Sequence, residues 1–265
     1  MNEHTIKQPL SRWWLTALLI GINVAVFVIQ MISGVNPITP SIPDMLHWGA
    51  NFVPLTLTGD DWRLVSSMFL HVGAVHLAVN MWALFLFGSY AELYFRRPFY
   101  LCMYVLAGIM GSLAACWWNL PFAQALLVND HSQLPMVSAG ASGAIMGIGG
   151  ALIVAAWRPR ADLPAHLRIN PKAMLILMGI NVVLGVLVPN IDNAAHLGGA
   201  VTGILLAWMF NFTQIAPAPL RGLLRVSCLI LMAAAAAYGL AHLHEQAKDL
   251  DLMREALLQE MQQIR

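Results

Sequence analysis

The sequence predicts an all-α membrane protein with seven spanning helices, and three observations carry that expectation. Of 265 residues, 59% are hydrophobic and 10% charged, whereas an ordinary soluble domain carries about 25% charged residues. Apolar stretches recur at 13–33, 68–91, 99–118, 136–157, 173–189, 194–212 and 223–243, each near the length of about 17 to 25 residues that crosses a bilayer as a helix. The basic residues gather in alternate connections. With the amino terminus inside, the inner connections hold Lys7, Arg12, Arg96, Arg97, Arg158, Arg160, Arg168, Lys172, Arg221 and Arg225, ten of the fourteen, and leave Arg63, Lys248, Arg254 and Arg265 outside. The excess of Lys and Arg on cytoplasmic loops sets this topology.

Each element has its own reason. The first apolar run is about 20 residues and ends in Met31-Ile32-Ser33-Gly34 without a small-residue cleavage site, so it reads as a retained span rather than a signal peptide. Residues 1–12 are then a short cytoplasmic tail with no room for a soluble domain. The connection from Gly34 to Asp61 carries Pro37, Pro40, Pro43 and Pro54 interleaved with Trp48, Phe52 and Leu55. A long loop with its own apolar residues is expected to pack or to dip into the membrane interface. Gly179, Gly185 and Pro189 weaken the fifth span, which makes it and the loop from Leu187 to Asn193 the expected gate. Beyond the seventh span, Leu250, Met253, Leu257, Leu258 and Met261 alternate with charges at helical spacing, an amphipathic helix for a membrane surface or a partner.

A net charge of +1 provides no basic field for nucleic acid. Cys102, Cys116 and Cys228 lie in apolar runs without metal-ligand spacing and read as small buried hydrophobes. No phosphate loop, tandem repeat or His-Glu-x-x-His pattern occurs, and neither a metal nor a cofactor is expected.

The polar residues inside the spans are the costly ones, and three spans place them at one depth. The second carries His71, His76 and Asn80, the fourth begins near Gly140 and Ser142, and the sixth begins with Asp192, Asn193 and His196. At 1.5 Å per helical residue, Ser142 and His196 fall on the order of 10 and 6 Å below the outer surface, in the outer leaflet. Ionisable groups at such depth face a cavity, a partner or a reaction, and serine with histidine is the minimal pair for nucleophilic catalysis. Read alone, Gly140 to Gly143 is a small-residue helix contact continued by Gly147, and Ala195, Gly199 and Gly203 form a second such series. If those two faces pack together, Ser142 and His196 meet. His76 and Asn80 share a helix face and are either polar glue or oxyanion donors. Asp192 either completes a triad or caps the sixth helix, the dyad being simpler. Glu92, beside Arg96 and Arg97, reads as an ion-pair residue.

In these motifs the chain resembles the rhomboid family of intramembrane serine proteases. The resemblance rests on Trp62-Arg63, on His76 and Asn80 at a spacing of four, on Gly140-Ala141-Ser142-Gly143, and on Ala195-His196 with Gly199 and Gly203 following. It implies a six-helix bundle at 13–213, and here a seventh helix with an amphipathic tail at 214–265. It also implies a Ser142–His196 dyad, with His76 and Asn80 on the oxyanion side and Gly140, Gly143 and Gly199 as supporting motif glycines. One departure is Met146, where many members carry an aromatic that stacks on the catalytic histidine. The resemblance further implies transmembrane protein substrates within the lipid bilayer, no nucleic acid, and a multi-pass protein of a bacterial inner membrane with its amino terminus cytoplasmic. Two other classes compete: a relative that binds clients without cutting them, which the intact Ser142 and His196 oppose, and an ion path, which the apolar inner halves of spans four and six oppose.

Overall fold

In the computed structural model, which describes residues 13–157, 169–187 and 191–263, a helix lies within each apolar stretch. In chain order they are α1 Trp14–Ile32, three short helices α2 Ile42–His47, α3 Val53–Thr56 and α4 Arg63–Ser66, then α5 Ala74–Phe95 and α6 Arg97–Ala125. They continue with α7 Ser142–Trp157, α8 Pro171–Leu187, α9 Asn193–Thr213, α10 Ala218–Gln246 and α11 Asp251–Gln263. The helices α1, α5, α6, α9 and α10 are long and apolar enough to cross a membrane, and α7 and α8 are shorter. The 1–12 tail, Arg158, Arg160, Arg168, Pro189 and Arg265 lie outside the described residues, and with them part of the expected gate.

The expectation of one continuous helix from 136 to 157 is corrected. The helix begins at Ser142, and residues 136–141 are non-helical. Its 16 residues measure about 24 Å, short of the roughly 30 Å hydrocarbon core. Two local features prevent earlier helix. Ser138 exchanges both backbone hydrogen bonds with Asn51 (2.9 and 2.8 Å), and Gly140 sits at φ +137°, a conformation closed to residues with a Cβ. The second span is likewise redrawn from 68–91 to 74–95, because Gly73 at φ +97° breaks the chain ahead of α5.

At one end of the bundle, Glu92 fixes the start of α1. Its buried carboxylate accepts from the Leu15 and Thr16 backbone N–H groups (3.2 and 2.9 Å), from Thr16 Oγ1 (2.9 Å) and from Arg97 Nε (2.9 Å). An anion at a helix N-terminus meets orphan N–H donors and the positive end of the dipole. The ion-pair reading of Glu92 holds, with Arg97 as the partner. Tyr94, Phe95, Phe99 and Phe210 pack beside it with ring centroids 4.8 to 6.5 Å apart.

At the opposite end the connection from 33 to 73 packs as expected. Met45, Leu46, Ala50, Val53, Leu55 and Leu57 are buried. Arg63 is buried with them at 3% exposure; its Nη1 donates to the carbonyls of Leu46 (2.7 Å) and Ala50 (3.2 Å), and its Nε pairs with Asp60 (3.0 Å). The chain leading into the tail packs on this end of the bundle. Leu243, Ala247 and Leu250 are buried with Val53, Leu57 and Leu120 in one cluster, and Arg254 of α11 reaches Asp60 Oδ1 at 2.7 Å. Burial alone raises the Asp60 carboxyl, but hydrogen bonds from Arg254 and Arg63 outweigh it and hold the group below the usual carboxylate range.

Candidate active site

The seam between α7 and α9 is built from backbone against backbone. A Cβ on Gly199 would collide with the Gly143 carbonyl, and one on Gly203 with the Gly147 carbonyl. One on Gly143 would lie 3.3 Å from the Ala195 carbonyl oxygen, and one on Gly150 2.7 Å from that of Ala200. α6 closes the third side, where a Cβ on Gly111 would come within 2.7 Å of the Ala195 carbonyl oxygen. The two small-residue series therefore interlock as the sequence suggested, which is how helices approach closely in a membrane. Ser142 adjoins Gly143 and His196 adjoins Ala195, so the seam packs their chain neighbours together, and each of the two is half-buried at the first turn of its helix.

His76 enters from α5. Its Nδ1 accepts the Val72 backbone N–H at 3.3 Å, which leaves the proton of a neutral ring on Nε2. That edge faces Gly140: a Cβ there would lie 2.8 Å from His76 Cε1, 3.2 Å from Nε2 and 3.6 Å from Ser142 Oγ. Glycine is thus required at 140 both by its φ and by the ring. Asn80, buried one turn further along, donates Nδ2 to the His76 carbonyl at 3.0 Å, and its second amide hydrogen is not used by that bond. Because α7 starts at Ser142, the N–H groups of its first turn have no acceptor within the helix and present a positive dipole end. The His76 ring and the Ser142 hydroxyl thus meet over the Gly140 backbone, with Asn80 one turn beyond His76 on α5.

Asp192 is a cap. Its Oδ1 accepts the Ala195 N–H at 2.9 Å and its carbonyl the His196 N–H at 3.1 Å. His196 Nδ1 is buried without a hydrogen-bond partner among the described residues, so Asp192 does not orient the ring. Met146 follows Ser142 by one turn and is 3% exposed in the main core. His71 stacks edge-on against His76 at 5.3 Å.

The polar bracing behind Ser142 was not anticipated. Gly140 N–H donates to Ser67 (2.9 Å), Asn51 Nδ2 to Ser112 (3.0 Å) and Met136 N–H to Asn119 Oδ1 (2.8 Å). Thr56 Oγ1 donates to Asn51 Oδ1 at 2.8 Å. These bonds seat the 136–141 segment on α6 and the first loop. The available signal was Ser112 and Asn119, polar groups inside an apolar helix that need partners for the same reason Ser142 does. An apolar cavity of about 950 Å³ opens between α6, α9 and α10, lined by Trp117, Leu197 and Met232 among others, and includes neither Ser142 nor His196.

A multi-pass helical membrane protein with a serine and a histidine at two interlocked helix starts defines the class. The Rhomboid domain matches residues 58–211, and the chain belongs to the rhomboid family. It is 31% identical over 201 residues to Rhomboid protease AarA of Providencia stuartii, covering 73% of this chain and 71% of that protein. It is 33% identical over 192 residues to Rhomboid protease GluP of Bacillus subtilis (strain 168), covering 72% of this chain and 34% of that protein. RHOMBOID-like protein 5 of Arabidopsis thaliana is 32% identical over 173 residues, or 64% of this chain and 50% of that one.

Proposed function

We propose that the chain is a rhomboid-type serine endopeptidase that cuts membrane-spanning proteins, with Ser142 as nucleophile and His196 as its base. The observation that carries the reading is the backbone contact of Gly143 with Ala195, the chain neighbours of Ser142 and His196, beside the Gly140 backbone on which His76 converges. In the first step Ser142 Oγ attacks a peptide carbonyl carbon while its proton passes to His196. The oxyanion forms among the Ser142 N–H, His76 Nε2–H and the free Asn80 amide hydrogen, each well-placed donor being worth about 3 to 4 kcal/mol. Collapse breaks the C–N bond, the amine leaves with the proton from His196, and water then hydrolyses the acyl ester. The pair works as a dyad, because Asp192 is engaged at the α9 start.

Substrates are transmembrane segments that unwind locally to offer a bond at the site. The alternate distribution of basic residues supports an inward amino terminus, with the site and the α11 tail on the outer side. On that topology α7 and α8 also cross, giving a six-helix core and a seventh span, α7 being completed by the non-helical 136–141 segment. A bacterial inner membrane fits the kinship with the Providencia and Bacillus proteins.

The test is cleavage of a transmembrane substrate by purified protein in proteoliposomes. Ser142→Ala and His196→Ala each abolish cleavage while the helical circular dichroism and melting transition persist, and the double variant is no worse than either single. Cleavage surviving in a folded Ser142→Ala protein would refute the assignment.

A further inference from the structure

Arg254 and Asp60 are 194 positions apart, yet the guanidinium of Arg254 closes the first loop like a clasp. Nη2 donates to Asp60 Oδ1 at 2.7 Å and Nη1 to the Leu55 carbonyl at 3.2 Å. Asp60 is shared, its other oxygen taking Arg63 Nε at 3.0 Å. Arg63 then holds the Leu46 and Ala50 carbonyls, and the residue after Ala50 is Asn51, which pairs with Ser138. Ser138 lies two residues before Gly140, itself tied to Ser67, and four before Ser142. A path of charge-assisted and backbone hydrogen bonds, joined by short stretches of chain, runs from the tail to the segment before Ser142.

We propose that Arg254 is a positioning residue for Ser142, acting through Asp60 and Arg63 on the loop that seats residues 136–141. The inference rests on the reading of Ser142 as nucleophile. Its physical basis is the planar guanidinium, which fixes the Asp60 carboxylate with one nitrogen and the Leu55 carbonyl with another at a partly buried site: with Arg254 gone, Asp60 has one arginine partner and the 55–60 turn loses its clasp. The end of α10 and the turn at 247–250 stay docked without that arginine. His244 Nε2 meets Asp61 Oδ1 at 2.8 Å, Gln124 donates to the Gln246 carbonyl at 2.9 Å, and Leu243, Ala247 and Leu250 are buried. Replacing Arg254 therefore breaks the clasp while the end of α10 stays attached.

The experiment measures kcat and KM on a transmembrane substrate, and the rate at which a fluorophosphonate labels Ser142, in the full chain. Misplacement of a reacting group by about 1 Å can cost about 100-fold in rate, so a partial displacement in Arg254→Ala lowers kcat and labelling together by about 3- to 10-fold, with KM unchanged. Arg254→Lys restores part of the loss, Lys248→Ala in the same tail changes nothing, and in an Asp60→Asn background Arg254→Ala has little further effect. Equal kcat and labelling in Arg254→Ala and the parent overturns the proposal, as does an undiminished effect in the Asp60→Asn background. If Arg254→Ala does not fold, Arg254→Lys is compared with the parent, and parity overturns the proposal. A parent protein that neither cleaves nor takes the label at Ser142 refutes the nucleophile assignment instead.

Discussion

The α7–α9 seam and the bracing of the first loop both join residues far apart in sequence, but they use opposite chemistry. In the seam, glycine removes side chains so that carbonyl oxygens touch the facing helix, and the contact tolerates no added atom. In the first loop, Asn51, Arg63 and Asp60 fill space with polar side chains whose hydrogen bonds replace water. The first kind of contact sets how close Ser142 and His196 come, while the second sets how the segment leading into Ser142 is held. The difference teaches that proximity and orientation at this site are governed by separate parts of the chain, and so are separable by mutation.

The largest expected effect is on the seam. Gly203→Val places a Cβ into the Gly147 carbonyl, backbone that cannot rotate away, so the two helices must part. The cost is at or above the upper end of the usual overpacking range of about 1 to 3 kcal/mol, and with the helices apart cleavage is lost as well. Gly239 in α10 is the matched control, since nothing lies within 4 Å of a Cβ there. Gly239→Ala holds or raises stability by up to about 1 kcal/mol through helix propensity. Thermal unfolding in detergent checks both; equal shifts would mean that the seam is not close-packed.

The seam was legible because glycine and alanine at intervals of four, in two spans that also carry Ser142 and His196, allow few arrangements. The loop bracing was not, because hydrogen-bond partners such as Asn51 with Ser112 or Arg254 with Asp60 leave no periodic trace in sequence. The start of α7 was missed for a related reason. Residues 136–141 are apolar enough to read as helix, and only the pairing of Ser138 with Asn51 and the φ of Gly140 reveal otherwise. Asp192 was placed between two roles by its spacing alone, and it took the Ala195 N–H contact to make it a cap.

A middle-sized effect is expected from Asn51→Ala. The substitution keeps the backbone pair with Ser138 but strips the carbonyl of Ser112 and the hydroxyl of Thr56 of their buried partner. Leaving such groups unsatisfied costs about 1 to 3 kcal/mol. Activity should fall more than that stability loss explains, measured as turnover well below the melting temperature. A variant with lowered stability and parental turnover would show that the first loop supports the fold without orienting Ser142.

The smallest expected effect concerns pH at the clasp. The Asp60 carboxyl is held below the usual carboxylate range in the folded protein, so its pairing contributes stability that is complete above the unfolded-state value and is lost as pH falls through the lower, folded-state one. Asp60 and Arg254 are partly exposed, and such a pair is worth about 1 kcal/mol or less once solvent and salt screen it. Acid therefore loosens α11 from the first loop, while the glycine contacts of the seam are backbone against backbone. Limited proteolysis of the tail between pH 7 and about pH 3 should reveal faster cutting near Arg254 at the acid end. In Asp60→Asn the same cutting should be fast at every pH and flat across the range. A parent protein whose tail is cut at one rate from neutral to acid would mean that contacts other than the shared carboxylate hold α11 in place.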